Sequence, residues 1–211
     1  LTSSKPDKEM HLNMRGLIRY SYQGSAPLSQ NILVRSALGV SECGVQYSME
    51  KMLAVAEDAA LAAGKILLSA FHDPVSERYR DGLPIADLAA EDLICSQLDT
   101  YFPNTGLRVE ERTSRNRRPR EGCDAIWLID PHDGTSAAHK GYRGACVSIG
   151  MVRNGEPVLG VVFAYAYPDD QGEMIAWAKG CGPVRRNGAR VEKRASPHRA
   201  TIMVSKYADR R

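Results

Sequence analysis

The stretch that most constrains this chain is Ala125-Ile126-Trp127-Leu128-Ile129, followed at once by Asp130-Pro131-His132-Asp133-Gly134-Thr135. The apolar run reads as a buried strand. Pro131 has no amide hydrogen and holds the residue before it in extended backbone, so the strand is expected to stop there with Asp130 extended. Two carboxylates, Asp130 and Asp133, are thereby delivered at a strand end. Gly134 lets the backbone approach a ligand closely, and Thr135 adds a hydroxyl. Acids in this pattern suit a hard cation that holds a phosphate. Oxygen ligands select Mg²⁺, and the amides beyond them can meet phosphate oxygens.

The surrounding chain supplies a frame for that strand. Ser48 is a plausible N-cap for a helix to about Phe71, whose apolar stripe is Leu53, Ala56, Ala60, Ala63, Ile66 and Leu67. Residues 73–84 read as loop or weak hairpin, and a second helix is expected from Ile85 to about Thr100, with Leu88, Leu93, Ile94 and Leu98 inward. Asp87 and Glu91 share one face of it. Leu107 to Glu111 reads as a short strand ending in acids, and 136–143 as loop. From residue 145 the pattern is β: Ala145–Arg153 and Pro157–Ala166 joined by Asn154-Gly155, then Glu173–Lys179, with shorter strands at Val191–Lys193 and Thr201–Lys206. Gly180–Gly188 is expected to be loop. Helices followed by a meander imply an α+β fold in which the two helices cover one sheet face.

With these residues in place, Asp130-Pro131-His132-Asp133-Gly134-Thr135 resembles the D-P-x-D-G-T motif of the inositol monophosphatase family, the Mg²⁺-dependent, lithium-sensitive sugar- and nucleotide-phosphate phosphatases. Glu110-Glu111 lies 20 residues upstream, where that family has its G-E-E motif, with Val109 in place of the glycine. Pro103 precedes Glu110 by seven residues, as in the family. Ala86-Asp87 with Glu91 resembles a T-x-A-D-x-x-x-E segment. Val147-Ser148-Ile149-Gly150, Lys179-Gly180-Cys181-Gly182 and Asn187-Gly188 follow in order, so the resemblance covers about Ser48 to Lys206.

The resemblance implies a layered αβαβα sandwich with the C-terminal part absent. It divides the chain into an unassigned extension, 1–47, and a truncated family domain, 48–211. It also implies two or more Mg²⁺ ions held by Glu110, Asp130, Asp133 and the backbone carbonyl of His132. Thr135, oriented by Asp87, and Glu110 would align and deprotonate the attacking water, while Asp133, Gly134 and Thr135 bind the substrate's phosphate. Two departures stand out: Ser136-Ala137-Ala138 replaces the usual x-N-F continuation, and no W-D-x-x-x-G segment, the source of a further metal-binding aspartate, occurs in the 211 residues. Arg78 and Arg80 match the family's mobile lysine-bearing loop poorly.

Bulk properties narrow the alternatives. A net charge of +3 does not call for nucleic acid or a membrane, and no run approaches the ~20 apolar residues of a membrane span. Five scattered cysteines without C-x-x-C spacing argue against zinc and for a reducing, cytoplasmic setting. The five arginines between Arg112 and Arg120 read first as a solvated loop. Their sharper reading is a clamp for a second phosphate, which favours a 3′(2′),5′-bisphosphate nucleotide as alternative substrate. The expected partner is a small phosphate monoester. A half-sandwich would leave an apolar face open, from which a homodimer is expected. The competing class is a catalytically inactive, truncated family member that serves as a binding or interaction protein.

Overall fold

The computed structural model describes residues 47–73, 79–80 and 82–192. The expected extension before Tyr47, Arg78 and the expected strand Thr201–Lys206 lie outside them.

Helix α1 spans Met49–His72, and its Ser48 N-cap accepts a hydrogen bond from the Lys51 amide at 3.2 Å. Its stripe of Met52, Leu53, Ala56, Ala59, Ala60, Ala63 and Leu67 is buried, and the alanines allow close approach of the neighbouring elements. A two-residue hairpin, β1 (Tyr79–Arg80) and β2 (Leu83–Pro84), leads into α2, Ile85–Tyr101. Leu88, Ile94 and Leu98 face inward as expected, whereas Leu93 is half-buried.

Both helices pack on a seven-stranded sheet: β3 (Gly106–Val109), β4 (Ala125–Asp133), β5 (Cys146–Arg153), β6 (Glu156–Ala164), β7 (Glu173–Ala178), β8 (Arg185–Arg186) and β9 (Ala189–Arg190). The strands lie in chain order, and only β3 with β4 is parallel. Burial alternates along β4 to β7. Trp127, Ile129, Val147, Ile149, Val161, Phe163 and Ala176 fill the core shared with the helices, while Leu128 and Val162 on the other face are 43% and 39% exposed. The α+β expectation with two helices on one sheet face therefore holds.

Three details depart from the sequence reading. Residues Thr135–Ala138 form a short helix, α3, where loop is expected. The expected 180–188 loop instead holds the β8–β9 hairpin: Asn187 and Gly188 take φ of 48° and 79°, the two positive values of a type I′ turn. Asn154 and Gly155 turn β5 into β6 in the same way, whereas Val191 and Glu192 are not in a strand.

The third departure shapes the site. Strand β4 does not stop at Pro131 but runs to Asp133. Asp130 pairs with Ser148 and Asp133 with Cys146, which leaves β4 one residue longer than β5 across this interval. That is a β-bulge, and a bulge is where a strand accommodates a residue with no amide to donate. Pro131 and His132 are both buried, and the next outward position falls on Asp133 instead of residue 132. The bulge is why acids three apart, rather than two, share the open side of the sheet.

Candidate active site

The 20-residue spacing between Glu110 and Asp130 is the pairing register itself. Gly106 lies opposite Ile126 and Val109 opposite Ile129 in the parallel β3–β4 pair. The ladder continues for one more bond, from the Glu110 amide to the Ile129 carbonyl at 3.1 Å. Glu110 and Asp130 thus leave adjacent strands at the same level, and their carboxyl groups share a hydrogen bond. Two carboxyls make that contact by sharing a proton, or they turn the same oxygens on a cation. Burial, followed by the hydrogen bond and the negative charge of Glu110, pushes the Asp130 carboxyl up to about 7. Asp133 adds to the same effect. Glu111, half-buried beside them, is also raised, first by burial and then by Asp87 and Glu110.

Asp87, in the first turn of α2, is 1% exposed and reaches the other side of the bulge. It accepts from Nδ1 of His132 at 2.8 Å and from the Thr135 hydroxyl at 3.3 Å. The same hydroxyl lies 2.7 Å from the His132 carbonyl oxygen. The Asp87–Thr135 contact expected from the family motif is present, but the hydroxyl's shorter bond is to the carbonyl. Gly134, at φ 92°, is left-handed, and a Cβ there would sit 3.3 Å from the Ala145 Cα, so glycine is required by both conformation and space.

A cavity of about 350 Å³ opens beside these groups on the sheet face away from the two helices, lined by Arg108, Glu110, Leu128, Asp130 and Ser148 among others. Arg108 places a basic side chain in its wall. Among the described residues no group of three or more His, Cys, Asp and Glu side chains is gathered where it could hold a metal ion. The chemistry of the donors nonetheless suits a hard cation: Glu110 and Asp130 are paired carboxyls, and Asp133 adds negative charge to them. The His132 ring is not among them. It is buried and bonded on both nitrogens, to Asp87 and, at 2.7 Å, to the Tyr165 hydroxyl. Cys146 borders Asp133, and burial, then that carboxylate, push its thiol up to about 11, which keeps it protonated.

The arginine-rich stretch is not a solvated loop. Arg112 donates to Glu91 from Nε at 2.7 Å and from its backbone amide at 3.2 Å, and contacts Asp92 at 2.5 Å. Arg115 bonds Asp92, and Arg117 forms an ion pair with Asp99 at 2.5 Å. Three of the five arginines therefore bind the loop to α2. Glu91 is 0% exposed and anchors the residue that follows Glu110-Glu111. Sequence reasoning missed this role, although the i, i+4 spacing of Asp87 and Glu91 placed both on the correct face. Nothing in the local pattern marks Tyr165 or Arg108.

Comparisons with known proteins identify the family and the fold. A family model described as "Inositol monophosphatase family" matches residues 48–209. Inositol monophosphatase 1 of Solanum lycopersicum is 35% identical over 119 residues, covering 55% of this chain and 44% of that protein. The 3′(2′),5′-bisphosphate nucleotidase CysQ of Escherichia coli is 32% identical over 114 residues, 52% of this chain and 45% of that one. The solved inositol monophosphatase from Anabaena (Nostoc) sp. PCC 7120 superposes with a TM-score of 0.56 at 28% identity, over 70% of this chain and 51% of that one. The chain thus spans about half the length of the relatives it matches, and its α+β architecture is part of their sandwich. With the motif, its register and the matched fold all in agreement, this chain belongs to the inositol monophosphatase family.

Proposed function

We propose that the chain is a Mg²⁺-dependent phosphomonoesterase acting on a small phosphate ester. The observation that carries this reading is the meeting of Glu110 and Asp130 at the ends of a parallel strand pair, with Asp133 turned to the same side and Asp87–Thr135 behind them. When bound, Mg²⁺ would supply charge stabilisation for the transferring phosphoryl group and for its nucleophile. Glu110, Asp130, Asp133 and the His132 carbonyl are the residues to hold it. Glu110 is exposed on the cavity side, where it can accept a proton from an attacking water. Thr135, backed by Asp87, orients that water through its hydroxyl oxygen. The amides of Gly134 and Thr135 are the expected phosphate contacts, and Arg108 is placed to meet a further anionic group. These residues act mainly by positioning and electrostatics.

Inositol phosphates or related sugar phosphates are the first substrate class. A 3′(2′),5′-bisphosphate nucleotide is the second, supported by the likeness to the nucleotidase. Ion pairs occupy Arg112, Arg115 and Arg117, so within the arginine stretch the argument for it narrows to Arg118 and Arg120. Among the described residues no helix is long and apolar enough to cross a membrane. The reading carries with it a cytoplasmic setting and a homodimer.

The test is phosphate release from inositol 1-phosphate and adenosine 3′,5′-bisphosphate, with Mg²⁺ and then with EDTA. Mg²⁺-dependent release that disappears in Asp133→Asn supports the proposal and ranks the substrates. No release from folded protein refutes it in favour of an inactive family member.

A further inference from the structure

The side chain of His132 has no part in the reading above, which uses only its carbonyl, yet it is among the most fully engaged groups in the protein. The residue is 7% exposed, and its ring lies between two buried partners, Asp87 at 1% and Tyr165 at 2%. Nδ1 is 2.8 Å from Asp87 Oδ1, and Nε2 is 2.7 Å from the Tyr165 hydroxyl. Tyr165 follows directly on β6, α2 carries Asp87, and the β4 bulge carries His132, so three separate elements converge on one ring.

The chemistry of these groups fixes the direction of the first bond, and the form of the ring that of the second. A carboxylate only accepts, so Nδ1 carries the hydrogen. In the neutral imidazole Nε2 is then an acceptor, and the Tyr165 hydroxyl donates to it. Oδ1 of Asp87 is thereby held and the carboxylate cannot swing about its Cβ–Cγ bond. Its second oxygen, Oδ2, stays directed at the Thr135 hydroxyl, 3.3 Å away. That hydroxyl has one hydrogen and two acceptors in reach, Oδ2 and the His132 carbonyl at 2.7 Å. A fixed Oδ2 keeps the alternative acceptor in place whenever the carbonyl is engaged elsewhere.

We propose that His132, seated by Tyr165, is a positioning residue whose imidazole holds Asp87 in the orientation that serves Thr135. The inference rests on the proposed phosphatase function only for its kinetic consequence. Its structural content, a ring held as the Nδ1–H tautomer between Tyr165 and Asp87, stands independently.

The experiment combines nitrogen NMR of histidine-labelled full chain with kinetics of three variants. At neutral pH the His132 ring of the parent protein is expected as the Nδ1–H tautomer, with its Nε2 signal displaced in Tyr165→Phe, which fills the same space without the hydroxyl. His132→Leu keeps the backbone carbonyl and removes the ring. It is expected to lower kcat by about 10- to 100-fold, the range a small misplacement of catalytic groups produces, with KM and the Mg²⁺ concentration for half-activity nearly unchanged. His132→Asn returns a donor at the Nδ1 position and is expected to restore much of the loss, which a merely structural role would not predict. A ring in any other form in the parent protein, or an unchanged kcat in His132→Leu, overturns the inference. If the parent chain releases no phosphate, the proposed function fails, and the ring tautomer alone decides this proposal.

Discussion

Burial of the Asp130 carboxyl, and after it the contact with Glu110, should cost the metal-free protein stability, and the cost can be read as a function of pH. Asp130 rises from an ordinary 3.8 to about 7 in the folded chain. The folded state therefore holds a proton that the unfolded chain has already released between these two values. Stability contributed by that proton is fully present below pH 3.8 and is lost as pH rises through about 7. Three units correspond to a ceiling of roughly 4 kcal/mol. The carboxyl is only half-buried, so solvent screening reduces this to about 2 kcal/mol above pH 8. Asp130→Asn imitates the protonated acid: its carbonyl oxygen can still accept from the His132 amide, now bonded to Asp130 Oδ1 at 3.0 Å, and its NH₂ can donate to Glu110. In EDTA at pH 8 the variant should thus unfold about 4–8 °C above the parent, at ~2–4 °C per kcal/mol for a domain of this size. Near pH 4 the difference should shrink toward zero. With Mg²⁺ at 100 times its Kd the parent should gain about 2.7 kcal/mol and the variant much less. Thermal unfolding at both pH values, with and without Mg²⁺, checks all of this. A variant no more stable than the parent at pH 8 in EDTA, or equally stabilised at both pH values, refutes the reasoning.

Other consequences can be measured separately. Gly64→Ala should lower stability by about 1–3 kcal/mol in urea unfolding despite alanine's better helix propensity, because a Cβ there would meet the Phe163 ring at 2.4 Å. Glu91→Ala should cost about 2–3 kcal/mol, below the full range for a broken buried pair because the Arg112 side chain is 28% exposed, and it should reduce phosphate release by freeing the segment after Glu110. The same fall in stability with activity intact would separate the two roles. Val162, 39% exposed on the sheet face away from the helices, should drive self-association that Val162→Lys weakens in sedimentation at increasing concentration.

The chain's framework was legible because its signals are local. Ser48 caps α1, an alanine-rich stripe sets its buried face, and Asn154-Gly155 admits the turn its strands require. The Glu110–Asp130 spacing was legible for a different reason: two parallel strands in fixed register convert a distance along the chain into adjacency in space. What stayed hidden depends on the order of contacts between elements. Pro131 correctly announces a lost ladder bond, yet whether a strand ends or bulges there is decided by Cys146, which pairs with Asp133 beyond the interruption. The arginine stretch looks solvated until α2 brings Glu91, Asp92 and Asp99 beneath it. His132 gave the same difficulty in sharper form, since its motif position assigns a role to the carbonyl and says nothing about the ring. Only Tyr165, 33 residues away, and Asp87, 45 residues away, reveal that the ring is occupied. A motif thus constrains the atoms every member shares, and the side chain at its variable position has to be understood from what the rest of this particular chain packs against it.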